Sequence, residues 1–166
     1  MIRLFVVFSF LLLSVVTANA ATWNVFNSAY NDYRMYFFDA NSVEKKGDSV
    51  TLWVKCINNG QPDNDGSYST ATKFSISCAN KTIQALNSSI YDKDRKCIKA
   101  SPIPGEVRKV ESGKIDAAIQ QAVCTPDFPK DTSKNEYFVV TGNDIYAHAA
   151  KFYTNAKVKN TDIAPQ

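Results

Sequence analysis

The chain has 166 residues, 45% of them hydrophobic, with 19 basic against 16 acidic side chains. That is the length of one domain, enough to bury a core without depending on disulfides. The formal net charge of +3 is scattered in pairs such as Lys45-Lys46, Arg95-Lys96 and Arg108-Lys109, which excludes the concentrated basic face of a nucleic-acid-binding protein.

Residues 1–20 read as a cleaved signal peptide. Arg3 is a minimal positive start, Leu4–Val16 is an apolar run interrupted by Ser9 and Ser14, and Ala18-Asn19-Ala20 has the small-x-small form of a cleavage site. The run is shorter than the about 20 apolar residues that span a bilayer. Cleavage is expected between Ala20 and Ala21, and with it export to the periplasm, the cell surface or the medium. No cysteine follows the cleavage point to take a lipid, so a lipoprotein is not expected.

Thr22–Phe26 alternates and predicts an opening strand, and the polar Asn27–Arg34 predicts a loop. Met35–Asp39 is aromatic-rich and strand-like, and Asp39-Ala40-Asn41-Ser42 turns the chain. Val50–Ile57 is the clearest strand. Val50, Leu52, Val54 and Cys56 share one face, and Thr51, Trp53, Lys55 and Ile57 share the other. A polar connection, Asn58–Ser69, follows. Its Asp-Asn-Asp-Gly run from Asp63 starts like a calcium loop, but the twelfth position, where an EF-hand needs Glu, is Phe74. Thr70–Cys78 and Thr82–Tyr91 read as strands, and Asp92-Lys93-Asp94-Arg95 turns the chain into a further strand, Lys96–Ala100. Pro102 and Pro104 end the sheet.

Lys114–Cys124 carries Ile115, Ala118, Ile119, Ala122 and Val123 on one stripe, which predicts an amphipathic helix ending at Cys124. Ser112 is the expected N-cap, and Asp116 sits where the helix dipole favours a negative charge. So short a helix is marginal alone and must dock on the sheet. After Cys124 come a proline-containing connection, a short apolar run at Tyr137–Thr141, and a second helix over Ile145–Lys157 with Tyr146, Ala149, Ala150 and Tyr153 along one face. The predicted organisation is a leader (1–20), a domain (21–124) and a C-terminal extension (125–166). The predicted fold is α+β: an antiparallel sheet of about five or six strands, a helix packed on it, and a second helix in the extension.

Little in the sequence carries reaction chemistry. The single histidine, His148, lies inside the second helix, and Asp92 and Asp94 sit in an ordinary hairpin turn. There is no GxSxG elbow and no phosphate loop. A non-enzymatic protein without cofactor or metal is expected. Cys56, Cys78, Cys97 and Cys124 are an even set in an exported chain, which argues for two disulfides, with three connectivities open.

Several stretches taken in order resemble the bacterial surface-adhesin protein E family. They are Trp23 near the mature start, YFFDANSVEKKGDSVTLWVKC at 36–56, KFSISCANKTIQALNSSIYDKD at 73–94, and PGEV at 104–107 leading into KIDAAIQQAVC at 114–124. The order and spacing of tryptophan, DxxS, tryptophan, cysteine and helix cysteine carry the likeness, over roughly residues 23–124. The resemblance implies an antiparallel sheet flanked by a helix, with Cys78 and Cys124 as the paired cysteines. Cys56 and Cys97 stand outside that pattern and would form the second pair. It also implies attachment to host extracellular-matrix components. The partner would be a host matrix protein or, in a periplasmic alternative, another protein of the envelope. An exposed strand edge is where two copies would pair.

Overall fold

The chain's computed structural model describes residues 21–29, 34–58, 66–102, 104–125, 139–141 and 144–161. The predicted leader with Ala20, and Asp63 in the calcium-like run, lie outside the described residues. Among the described residues, nine strands form one antiparallel sheet: β1 (Thr22–Ala29), β2 (Arg34–Asp39), β3 (Glu44–Lys46), β4 (Ser49–Asn58), β5 (Ser69–Ser77), β6 (Thr82–Tyr91), β7 (Cys97–Ser101), β8 (Arg108–Lys109) and β9 (Val139–Thr141). Their order is β7-β6-β5-β4-β2-β1-β9, with β3 beside β4 and β8 beside β6. Among the described residues there are also two α-helices, α1 (Ile115–Cys124) and α2 (Ile145–Thr161).

The sheet has more strands than the sequence suggests because short segments extend existing ladders. β3 pairs Lys45 with Val50 on β4, and β8 pairs Thr82 on β6 with Lys109. β1 continues through the polar Asn27-Ser28, where a loop is predicted, because pairing with Met35 and Tyr36 on β2 outweighs local composition.

Both faces of the sheet are covered. On one, Phe38, Val50, Leu52, Val54, Ile76 and Ile83 pack against Ile119, Ala122 and Val123 of α1. On the other, Met35, Phe37 and Ile57 pack against Ile145, Ala149 and Tyr153 of α2. The stripe of α2 differs from the predicted one by a small rotation. Ile145, Ala149 and Tyr153 are buried at i, i+4 and i+8, and Ala150 is exposed.

Polar residues fix the corners. Asp39 Oδ1 accepts the Thr22 and Asn41 N–H groups at 3.0 and 3.1 Å, holding a 3-10 turn at Ala40–Ser42. Ser42 Oγ donates to the Asp39 carbonyl at 2.7 Å and accepts the Trp53 N–H at 2.8 Å. The DxxS pattern is therefore a joint between β2 and β4. Asp48 holds the start of the next turn, where its Oδ1 accepts the Ala79 N–H at 2.8 Å.

The N-terminus of α1 departs from expectation. Lys114, not Ser112, is the N-cap, and it makes no side-chain cap bond. Ser112 falls too early, inside a turn closed by the Lys114 N–H on the Glu111 carbonyl and passing through Gly113 at φ +78°. Asp116 is buried in the first turn and holds a fork from Arg108, whose Nε and Nη2 reach its two oxygens at 2.9 and 2.8 Å. Its role is thus to tie α1 to β8 as well as to face the helix dipole.

Cys78 and Cys124 form a disulfide, with Cα atoms 5.6 Å apart, joining the end of β5 to the end of α1. The two cysteines are 46 residues apart in sequence, and closing such a loop removes about 4 kcal/mol of unfolded-state freedom in the chain-entropy model. The expected second bridge does not form; Cys56 and Cys97 remain thiols. The register gives the reason. Cys56 pairs with Thr70, Thr70 with Ile90, and Cys97 with Tyr91, so three strand spacings separate the two thiols. That is roughly 14 Å at about 4.8 Å per strand, beyond the about 7 Å Cα limit for a bridge. Alkylation of the unreduced, unfolded protein is expected to label two cysteines, and reduction to expose two more. Labelling of none or of all four before reduction would contradict this pairing.

Candidate functional site

The most chemically distinctive surface lies where α2 meets the β6–β7 hairpin. Asp92 Oδ1 accepts the N–H groups of Asp94 and Lys96, each at 2.9 Å, and the Arg95 N–H donates to the Asp92 carbonyl at 3.0 Å. This turn holds Arg95 at φ +63°, a left-handed conformation that costs a non-glycine residue roughly 1–2 kcal/mol. The consequence is a guanidinium whose Cζ stands 4.3 Å from the ring centre of Tyr146 on α2.

Tyr146 faces a second cation. Lys55, on the face of β4 that meets α2, places Nζ 4.8 Å from the Tyr146 ring and 5.1 Å from the Tyr91 ring. Such contacts contribute roughly 0.5–2 kcal/mol each, more where water is excluded. The Tyr146 hydroxyl lies 2.9 Å from Oγ of the fully buried Ser69. Ring and hydroxyl together pin the first turn of α2 to β4, β5 and the hairpin.

Beside this cluster a groove of about 270 Å³ runs along α2, lined by Tyr68, Asp92, Lys93, Tyr146 and Tyr153 among others. Among the described residues, Lys55, Lys93 and Arg95 have no carboxylate partner; the described ion pairs are Arg108–Asp116 and Lys114–Glu111. The groove thus combines tyrosines with one lining cation, Lys93, and one carboxylate, Asp92, whose Oδ1 already serves the turn, while Lys55 and Arg95 stand beside it against the Tyr146 ring. Nearby, the Tyr153 hydroxyl donates to the Ile57 carbonyl at 3.2 Å. Burial raises the pKa of Tyr153, and the Cys56 and Tyr36 groups raise it further against an opposing effect of Arg34.

The residues singled out from sequence fall elsewhere. Cys78 and Cys124 staple the opposite face of the sheet. Cys97 is exposed at the start of β7, its Sγ 3.4 Å from the Lys99 carbonyl, and Cys56 has its Sγ 3.9 Å from Asn58 Oδ1. Ala21 precedes β1. His148 lies on α2, where burial lowers its pKa, Lys151 lowers it further and Asp144 raises it. No group of three or more His, Cys, Asp or Glu side chains among the described residues could hold a metal ion. No described helix is long and apolar enough to cross a membrane.

The groove residues escaped sequence reasoning because they come from β4, the β6–β7 turn and α2, which the sheet brings together from distant positions. One signal was available. Lys55 stands between Trp53 and Ile57 on the strand face opposite the predicted core, and the second helix carries Tyr146 and Tyr153 on its predicted face.

The family described as surface-adhesin protein E matches residues 23–125. The chain belongs to that family. The crystal structure of protein E from non-typeable Haemophilus influenzae is similar to it, at 12% identity and a TM-score of 0.39, covering 62% of this chain and 76% of the other. No curated protein matches the sequence. Lys55, Tyr68, Tyr91 and Arg95 lie within the family match, whereas β9 and α2, with Tyr146, lie beyond it.

Tyr36, half-buried on β2, gives a pH test of this end of the sheet. Burial pushes its pKa up to about 12, Cys56 adds to the rise, and Arg34 opposes it. Below about pH 10 the phenol is neutral in both folded and unfolded chains. As pH rises toward 12 only the unfolded chain ionises, so the stability Tyr36 contributes is lost across that window. Tyr36→Phe is expected to lose less stability than the wild type between about pH 10 and 12, measured by denaturant unfolding. An identical alkaline loss in both proteins would contradict the assignment.

Proposed function

We propose that this protein is an exported surface adhesin, a non-enzymatic binding module that attaches to a component of the host extracellular matrix. The observation that carries the reading is the family match over residues 23–125, which takes in the whole sheet apart from β9 and the stapled helix. The geometry is compatible with it. The groove is lined by tyrosines, and Arg95 stands against one of them, Tyr146; tyrosine and arginine are among the residue types that dominate binding hot spots. In this reading the leader is removed between Ala20 and Ala21, and the mature domain works outside the cytoplasm.

Two measurements on the same strain test it. Intact-mass analysis of the protein recovered from cell fractions is expected to show a chain starting at Ala21 at the cell surface or in the medium. Purified mature protein is expected to bind immobilised matrix components saturably. Retention of all the protein in the periplasm, with no saturable matrix attachment, would overturn the adhesin reading in favour of an envelope protein that binds another bacterial protein.

A further inference from the structure

We propose that the groove beside α2 is a subsite for an anionic saccharide, a pyranose bearing sulfate or carboxylate groups. The inference rests on the reading of this groove as the binding surface of the module and names the class of ligand it takes.

Charge comes first. Lys55 is half-buried between the Tyr91 and Tyr146 rings, and Arg95 lies over the outer part of the same cluster. Lys93 lines the groove itself. These cations arrive from a central strand and a hairpin, and none has a carboxylate partner among the described residues. An exposed ion pair is worth little, but a cation held in place without a partner is a ready site for an incoming anion. The ring contact at 4.3 Å uses none of the N–H donors of Arg95 in a hydrogen bond, so they are left for an oxyanion. Asp92 and Asp94 are the acids of this hairpin, and Asp92 Oδ1 is already engaged by two backbone N–H groups.

The aromatic surface then selects among anions. Tyr68 and Tyr146 both line the groove and are half-exposed; Lys55 and Arg95 already stand against the Tyr146 ring, which leaves the Tyr68 ring for a ligand. The negative face of a phenol ring attracts the C–H edge of a pyranose, as it attracts other positive edges. The Tyr68 hydroxyl has no hydrogen-bond partner among the described residues, and so can serve a sugar hydroxyl. A volume of about 270 Å³ is close to the lower limit, roughly 300 Å³, of small-ligand clefts, so it admits one sugar ring with its neighbours extending along the surface. An acidic peptide would satisfy the cations but would not use the Tyr68 ring.

The left-handed turn shows where the site can be altered without loss of fold. Arg95→Gly removes the guanidinium at a φ of +63° that glycine adopts freely, so relief of strain offsets the lost ring contact. The test is titration calorimetry of the full mature protein at near-physiological salt. The probes are a heparin-derived hexasaccharide, a hyaluronan hexasaccharide carrying only carboxylates, and neutral maltohexaose. Saturable binding of either anionic probe and none of the neutral one is expected; which anionic probe binds tells sulfate from carboxylate recognition. Arg95→Gly and Lys93→Gln are each expected to weaken binding about tenfold, the loss of one charged partner. The Lys45→Gln/Lys46→Gln pair on exposed β3 is expected to change it little.

Equal weakening in the β3 variant would mean general attraction to a polyanion and overturn the site, as would binding of maltohexaose with the same affinity. Displacement of the sugar by a polyglutamate peptide of equal charge and affinity would overturn the saccharide assignment. Matrix attachment unaffected by Arg95→Gly would overturn this inference and leave the adhesin reading standing. Site-dependent sugar binding without matrix attachment would do the reverse.

Discussion

The β2–β4 pair carries apolar side chains on both of its faces, and the rest of the structure answers that constraint. Met35, Phe37 and Ile57 point one way, and Phe38, Val50, Leu52 and Val54 point the other. A strand pair of this kind cannot leave either face in water, since each large buried side chain is worth roughly 1.5–3 kcal/mol. Two covers are therefore required, and the chain supplies α1 for one face and α2 for the other. They are held differently. α1 is stapled by Cys78–Cys124 and tied by the Arg108–Asp116 fork. α2 has no covalent tie and relies on its buried stripe, the Tyr153–Ile57 hydrogen bond and the cations around Tyr146.

The site follows from that second cover. Where α2 reaches the margin of the sheet, its tyrosines meet Lys55 and the β6–β7 turn, and the junction leaves a groove. The neighbouring sheet edge is less suited to recognition. β7 carries Lys99, takes an extra residue at Ile98 in its pairing with β6, and leads into Pro102 and Pro104. Lysines, a bulge and prolines are devices that discourage another strand from adding to an edge. The binding proposed for this end of the molecule is therefore by side chains in the groove and not by main-chain pairing.

Much of the architecture was legible because period-2 alternation is strong in β4 and at Phe74, Ile76 and Cys78, and because α1 has a clean apolar stripe. The Cys78–Cys124 bridge was legible only through family likeness, since spacing left three pairings open. The second bridge failed because strand order, which no local pattern shows, separates Cys56 from Cys97. The N-cap at Lys114 was missed because Gly113 allows a turn that moves the helix start past Ser112. The groove was illegible for a related reason. Arg95, Lys55 and Tyr146 look like isolated surface residues until β4, the hairpin and α2 are adjacent.

The central claim is that α2, which lies beyond the family match, is an integral cover of the second face. Hydrogen–deuterium exchange of the full chain tests it most directly. Most helical stability in proteins comes from packing of an apolar face, so strong protection of its amides reports docking. The expected result is protection of the amides at 149–153 approaching that of β2 and β4. Exchange of those α2 amides at the rate of an unstructured peptide, while β2 and β4 stay protected, would contradict it.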